Sequence, residues 1–256
     1  ELFGTVTDPS GAVAPGVRIA AAHQATGAVY TGTSDERGVY HLLGLPAGEY
    51  TLAATAAGFV PFRQTGLALR LGDQIDVGIR LALGGAESID VTAQTPLLQT
   101  ASGSVTYAVD QDKLSALPLD GRNFVALIAL SPGVALPGGG SLLPRINGSR
   151  PRTNEYLYDG ISILQPEPGQ VAFYPILDGI EEIRLNVNAY SPEYGRSNGG
   201  TVMVASKSGG NQLHGSLFEF FRNEALNARN FFAQPGAKPV FRRNQYGFTL
   251  GGPLRK

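Results

Sequence analysis

Histidine, a common catalytic acid, base and metal ligand, occurs three times in this chain. His23, His41 and His214 lie in three different segments and lack the short spacing of a metal-ligand motif. Cysteine is absent, which excludes disulfides, thiolate metal sites and thiol nucleophiles. We therefore predict that each histidine is a surface or strand residue and that the chain binds no metal.

The chain contains two other features that occur in catalytic sites, a pair of adjacent carboxylates and a run of glycines. Glu181 and Glu182 are neighbours in sequence, so their side chains point in different directions and cannot flank one substrate as a catalytic pair does. The glycines at 138–140 lack the lysine and hydroxyl residue of a phosphate-binding loop, and we expect a flexible loop there. The chain also lacks a nucleophile elbow and a His-Glu-x-x-His pair. These observations predict that the chain is not an enzyme and that it needs no cofactor.

The charge balance indicates that nucleic acid is not a partner. The chain has 20 basic and 21 acidic residues, and no basic run alternates with aromatic residues. Charged residues make up 16% of the chain, against about 25% in ordinary soluble proteins, which leaves fewer charges for a solvated surface. We expect that part of this surface is covered by something outside the chain.

The distribution of apolar residues predicts a chain that is mainly β. Its 34 glycines and 17 prolines fall between short apolar runs, where they mark turns. No run approaches the roughly 18 apolar residues that a membrane-spanning helix needs. Residue 1 opens no charged-then-apolar signal segment, so we expect that any signal has been removed. A membrane role would therefore have to use β-strands.

Residues 1–83 show the alternation and turn spacing that are typical of a β-sandwich. Asp8 and Asp35 each begin a turn with a glycine three positions later, as type I turns favour. The apolar residues of two alternating strands are expected to face its core: Tyr50, Leu52, Ala54, Ile75, Val77, Ile79 and Leu81.

Five motifs in this segment carry a resemblance to a known module. They are GTVTD at 4–8, PGV at 15–17, DERGVY at 35–40, LPAGEY at 45–50 and GF at 58–59. In this order they resemble the carboxypeptidase-regulatory-like domain. The resemblance implies a transthyretin-like or carbohydrate-binding-like β-sandwich, and it implies an accessory module without a defined activity.

An isolated extended segment follows the glycine pair at 84–85. Ile89 and Val91 lie on one side of this segment, and the polar residues that alternate with them lie on the other. A strand of this kind, exposed in a linker, is suited to pairing with the edge of a foreign sheet while its apolar pair packs.

Residues 105–208 mix strand and helix signals, which predicts a small α+β domain with long loops. Asp110 is suited to capping a short helix that extends to Leu117. A second helix is predicted after Asp120, with one apolar face formed by Phe124, Leu127 and Ile128. Strands are predicted at 105–109, 156–158, 183–187 and 201–205.

The motifs of this second segment resemble the plug of the Oar-like branch of TonB-dependent transporters. They are LPLDGRNF at 117–124, SPGV at 131–134, YDGI at 158–161, YSPEYGR at 190–196 and KSGGN at 207–211. The motifs at 214–223, 227–232, 243–247 and 251–253 are similar to the entry of that branch into its barrel. Tyr246, Phe248 and Leu250 alternate with polar or small residues, which favours a lipid-facing side.

The resemblance implies four parts: a β-sandwich at 1–83, a linker at 84–104, a plug domain at 105–208 and the first strands of an incomplete transmembrane β-barrel at 209–256. The extended segment of the linker resembles a TonB box. This assigns binding of the C-terminal domain of TonB to Glu87, Ser88, Ile89, Asp90, Val91, Thr92 and Ala93.

The resemblance also implies an environment and partners. The protein is expected in the bacterial outer membrane, in contact with its lipid, with the sandwich in the periplasm. It would take up an unidentified solute with energy from TonB and without a cofactor.

In this family Glu181 and Glu182 follow a short helix and face solvent or the barrel wall. Arg150, Arg152 and Arg196 are expected to pair with carboxylates between plug and barrel.

Two other functions fit parts of the sequence. A secreted or surface-attached carbohydrate-binding or adhesion module would use the sandwich and treat the remainder as a tether. An enzyme accessory domain is a third possibility, because this sandwich occurs beside metallocarboxypeptidases, and it would need a set of zinc ligands further along the gene.

Overall fold

The computed structural model of the chain describes residues 1–84, 89–92, 103–117, 119–138, 141–167, 169–188, 194–195, 197–229, 231–232, 236 and 238–253. Two compact units are present, Glu1–Ser208 and Gly209–Lys256. The chain is mainly β, as predicted, and its helices are short. Within the described residues, no helix is long and apolar enough to cross a membrane.

The first part of unit one is a β-sandwich of ten strands. They are β1 (Leu2–Thr7), β2 (Arg18–His23), β3 (Val29–Thr33), β4 (Val39–Leu42), β5 (Gly48–Thr55), β6 (Phe59–Val60), β7 (Phe62–Leu69), β8 (Ile75–Asp76), β9 (Ile79–Arg80) and β10 (Ala82–Leu83). One sheet has the order β4-β1-β8, and β9 also pairs with β1. The other has the order β3-β2-β5-β7 and is extended by β11 (Ile89–Thr92). β6 and β10 form a separate short pair.

The predicted core and turns of the sandwich are confirmed. Ile79 and Leu81 are buried, whereas Asp76 and Arg80 are exposed. At the first turn, the Gly11 amide donates to the Asp8 carbonyl, and the Asp8 carboxylate accepts from the amides two and four residues later. Asp35 makes the same set of bonds at its turn. These Asp side chains satisfy amides that the turn itself leaves unpaired.

The second part of unit one is a mixed α+β module. Its elements are β12 (Val105–Asp110), α1 (Gln111–Ala116), α2 (Val125–Ile128), β13 (Val134–Ala135), β14 (Arg145–Ile146), β15 (Glu155–Tyr158), β16 (Ile161–Ser162), β17 (Ile180–Asn188) and β18 (Thr201–Ser206). Five of its strands form a sheet in the order β12-β17-β18-β15-β16, and β13 pairs with β14. Short 3₁₀ turns lie at Asp120–Arg122 and Leu177–Gly179.

The first helix begins as predicted, whereas the second is shorter than predicted. Asp110 caps α1, because its carboxylate accepts the Lys113 amide at 3.1 Å. After Asp120, however, Gly121 and Arg122 have positive φ angles of 78° and 49°, which no right-handed helix accommodates. The helix therefore starts only at α2. Its predicted apolar face is confirmed, since Phe124, Leu127 and Ile128 are all buried.

The central strands β17 and β18 of the five-stranded sheet are buried on both faces. Ile183, Leu185 and Val187 of β17 alternate toward the apolar core of the module. The intervening residues of β17 and their register neighbours on β18 form a second buried face, here called the polar face: Glu182, Arg184, Asn186, Thr201 and Met203. Charged groups on a buried face require partners, which must come from elsewhere in the chain.

Unit two is a β-hairpin with long strands. β19 (His214–Asn223) pairs antiparallel with β20 (Arg242–Gly251), and a 3₁₀ turn lies at Glu224–Leu226. The side chains of Tyr246, Phe248 and Leu250 are each more than 70% exposed. The alternation predicted for this strand therefore places a row of apolar side chains on an open surface.

We expect residues 1–83 to fold as an isolated fragment, because all the residues of the first core cluster fall between Leu2 and Leu81. The measurement is an amide correlation spectrum of the fragment, in which we expect dispersed resonances. Leu52→Ala should lower its unfolding free energy by about 2–5 kcal/mol, because a fully buried side chain is truncated.

The matched control is Val29→Ala, at a position that is 60% exposed. This substitution should change the unfolding free energy by less than about 0.5 kcal/mol. A disordered spectrum from the unmodified fragment would show that the sandwich depends on the rest of the chain.

Candidate functional site

The predicted partner-binding segment is extended, but it is not isolated. Glu87, Ser88 and Ala93 lie outside the described residues, and Ile89–Thr92 form β11. β11 pairs in parallel with β7, with Ile89 beside Phe62 and Thr92 beside Thr65. The prediction of an isolated strand was therefore wrong. β7 is an edge strand whose backbone would otherwise be unpaired on one side, and β11 fills that edge.

The strand order places β11 at the end of a five-stranded sheet. Its inner edge pairs with β7, which in turn pairs antiparallel with β5. Among the described residues, no strand pairs with the outer edge of β11. An open strand edge of this kind carries backbone donors and acceptors that another chain can use for strand addition.

A buried polar contact joins the sandwich to the polar face. The Arg184 guanidinium donates to the carbonyl of Leu71 and to the carboxylate of Asp73. The side chains of Arg184 and Asp73 are only 5% and 9% exposed. Arg184 also lies 3.4 Å from the hydroxyl of Thr106 on β12. We call the contact between Asp73 and Arg184 the clamp.

A tight turn of the sandwich presents the clamp carboxylate. The amide of Asp73 donates to the carbonyl of Arg70, and the amide of Arg70 donates to the Asp73 carboxylate at 2.9 Å. Gly72 has a φ of 71°, a conformation that glycine adopts without strain. The turn thereby directs the Leu71 carbonyl and the Asp73 carboxylate toward one guanidinium, which satisfies several of its donors.

The acidic pair departs in part from its prediction. A 3₁₀ turn precedes Glu181 and Glu182, and their side chains diverge, as predicted. Glu181 is exposed, but Glu182 is buried and accepts the Leu71 amide at 3.3 Å, so it faces the sandwich rather than solvent. Burial raises the pKa of Glu182 above its ordinary value, against the opposing effects of the Leu71 amide and Arg184.

The other candidate residues do not converge on a site. His23, His41 and His214 lie in β2, β4 and β19, as strand residues. Within the described part of the chain, no three metal-ligating side chains form a group. Arg150 and Arg152 are exposed, and Arg196 and the glycines at 139–140 lie outside the described residues. Pairing of these arginines with a barrel stays a prediction.

Family comparisons match both ends of the chain. The carboxypeptidase regulatory-like domain matches residues 1–82. The outer membrane beta barrel domain matches residues 205–256. These matches cover the sandwich and the hairpin, and the mixed module lies between them.

A curated relative matches most of the chain. The TonB-dependent transporter Oar of Myxococcus xanthus is 30% identical over an alignment of 243 residues that covers 88% of this chain. The chain spans 22% of the length of that protein.

Two solved structures are similar to part of the chain. The siderophore receptor PirA from Acinetobacter baumannii is 22% identical, with 61% of this chain and 23% of that chain covered and a TM-score of 0.46. The outer membrane transporter YddB from Escherichia coli is 18% identical, with 57% and 23% covered and a TM-score of 0.45.

We expect Arg184→Met to lower the unfolding free energy of the chain by about 3–5 kcal/mol, because Asp73 loses its cationic partner in a buried position. Combining Arg184→Met with Asp73→Asn should restore part of the loss, since position 73 then carries no buried charge that lacks its counterion. Urea unfolding followed by circular dichroism measures both changes.

Lys113→Ala is the control for this comparison. Lys113 pairs with Asp110 at 3.1 Å, with both side chains about half exposed, and such surface pairs contribute at most about 1 kcal/mol. If Arg184→Met lowers the unfolding free energy no more than Lys113→Ala does, the clamp does not stabilise the contact between the two modules.

We also expect the contact to respond to pH through Glu182. Its folded pKa is raised, so the penalty for burying the ionised carboxylate is present at neutral pH and disappears as pH falls toward the ordinary value of 4.5. Arg70, Asp73 and Arg184 are the charged groups that influence it.

Glu182→Gln removes this titration while keeping an acceptor for the Leu71 amide. Unfolding free energies of both proteins should be measured between pH 7 and 4.5, a range set by the raised pKa. We expect the wild type to gain stability relative to Glu182→Gln as pH falls. A constant difference, or one of opposite sign, would show that Glu182 is not desolvated by the contact.

Proposed function

Because this chain belongs to the TonB-dependent transporters of the bacterial outer membrane, we propose that it serves solute uptake driven by TonB. The docking segment in this proposal is Glu87–Ala93, which contains β11. The sandwich occupies the periplasm, the mixed module is the plug, and residues 209–256 begin the barrel. No cofactor takes part.

The observation that carries this proposal is the edge position of β11. The strand lies between a matched accessory domain and the mixed module, and its outer edge is open among the described residues. Strand addition supplies a row of backbone hydrogen bonds and so provides a grip that depends little on side-chain identity. TonB, anchored to the energised inner membrane, would pull on this grip and displace the plug.

The hairpin supports a position in the outer membrane. Tyr246, Phe248 and Leu250 form an exposed apolar row on β20, and the outer membrane beta barrel domain matches this part of the chain. Membrane barrels place such a row toward lipid and keep the alternating polar or small residues toward the lumen. We propose that this row contacts outer-membrane lipid in the whole protein.

A secreted carbohydrate-binding or adhesion module accounts for fewer observations. It explains the match at residues 1–82. It does not explain the barrel-domain match at residues 205–256 or the 30% identity to a transporter over 88% of the chain. The transporter proposal explains all three.

We predict that a peptide of residues 87–94 binds the C-terminal domain of TonB from the same organism. Val91→Pro should weaken binding by about tenfold or more, because proline removes a backbone donor and interrupts the ladder. Calorimetric titration measures the two affinities. Val91→Ala is the control, since it shortens the side chain but keeps the amide. Equal affinities of the wild-type and proline peptides would reject strand addition.

A further inference from the structure

We infer that the N-terminal sandwich has a function of its own: it holds the TonB-binding strand in an extended form and presents to TonB the outer edge of that strand, with which no described strand pairs. This inference rests on the proposed function. The observation behind it is the register of β11, which pairs with β7 at four consecutive positions from Ile89–Phe62 to Thr92–Thr65. A strand has two edges, and β7 occupies only one of them.

Addition to the outer edge of β11 is favoured over removal of β11 from the sandwich. If TonB displaced β11 from β7, it would replace one set of backbone hydrogen bonds with another set of similar number, and the net gain would be small. If TonB adds to the outer edge, the pairing with β7 is kept and new bonds are formed. The sandwich and TonB then share β11 as a common central strand.

Docking on β7 also removes an entropic cost of binding. A free linker must be fixed in the extended conformation when TonB binds, whereas the backbone of Ile89–Thr92 is already paired. Pre-ordering a few residues in this way strengthens binding by about tenfold or more. The whole chain should therefore bind TonB more tightly than the isolated peptide of residues 87–94.

The fold provides fixed points on both sides of the strand. Upstream, β10 pairs with β6, which places Leu83 beside Phe59, close to the start of β7. Downstream, β12 begins at Val105, and its Thr106 lies within hydrogen-bonding distance of the clamp arginine. β7 is itself anchored in the sandwich core by Phe62, Leu67 and Leu69. Fixed ends keep the effective concentration of the strand at β7 high.

A disulfide lock tests whether β11 stays on β7 while TonB binds. The chain has no cysteine, so Gln64→Cys with Val91→Cys introduces the only thiols, at register partners. Neighbouring strands lie about 4.8 Å apart, within the Cα separation that a disulfide spans. The control is Gln64→Cys with Ile89→Cys, which is two positions out of register and should cross-link more slowly.

Binding of the 256-residue chain to the C-terminal domain of TonB is then measured with the lock reduced and oxidised. We expect the oxidised protein to bind within about threefold of the reduced protein or more tightly, and both to exceed a peptide of residues 87–94 that carries Val91→Cys by about tenfold or more. Loss of binding on oxidation, with recovery on reduction, would show that TonB removes the strand from β7 and would overturn the inference.

Three further results decide the matter. Equal cross-linking of the two cysteine pairs, or none, would show that β11 is not docked in this register. A peptide that binds as tightly as the chain would show that presentation contributes nothing. If the peptide and the reduced chain both fail to bind TonB, the proposed function itself is wrong, which separates that failure from the other two.

Discussion

A buried guanidinium holds the two modules of unit one together. Arg184 lies on the polar face of a sheet whose other face is an apolar core, and its side chain is only 5% exposed. A charge buried to this degree destabilises the fold unless it is paired and hydrogen-bonded. The Leu71 carbonyl and the Asp73 carboxylate of the sandwich provide those partners. The sandwich is therefore part of the packing of the second module, not a freely tethered accessory.

The clamp also brings together the two ends of the chain segment that contains β11. The sandwich turn at Asp73 and the strand that begins at Val105 both contact Arg184. The two ends of the intervening chain are therefore close together. Within that segment, β11 extends the sandwich sheet at β7. The clamp and the strand pairing therefore both involve the sandwich: the clamp uses its Asp73 turn, and β11 uses the edge of its sheet. A separate adhesion domain would need neither the clamp nor the pairing of β11 with β7.

Local patterns predicted much of the fold. Alternation identified the core face at Ile79 and Leu81, and Asp110 was recognised as a helix cap. The clamp was missed because its residues are 111 positions apart and each fits an ordinary strand or turn pattern. One signal was present: Glu182, Arg184 and Asn186 alternate with apolar neighbours. Because the strand is buried from Glu182 to Val187, that face requires a polar partner.

The central claim is that the sandwich presents β11 and keeps it while TonB binds. Hydrogen exchange of the 256-residue chain, with and without the C-terminal domain of TonB, tests this most directly, because ladder amides exchange slowly only while they are paired. We predict that TonB slows exchange across Ile89–Thr92 while the amides within Phe62–Thr65 that pair with β11 keep their protection. Loss of protection within Phe62–Thr65 when TonB binds would contradict the account.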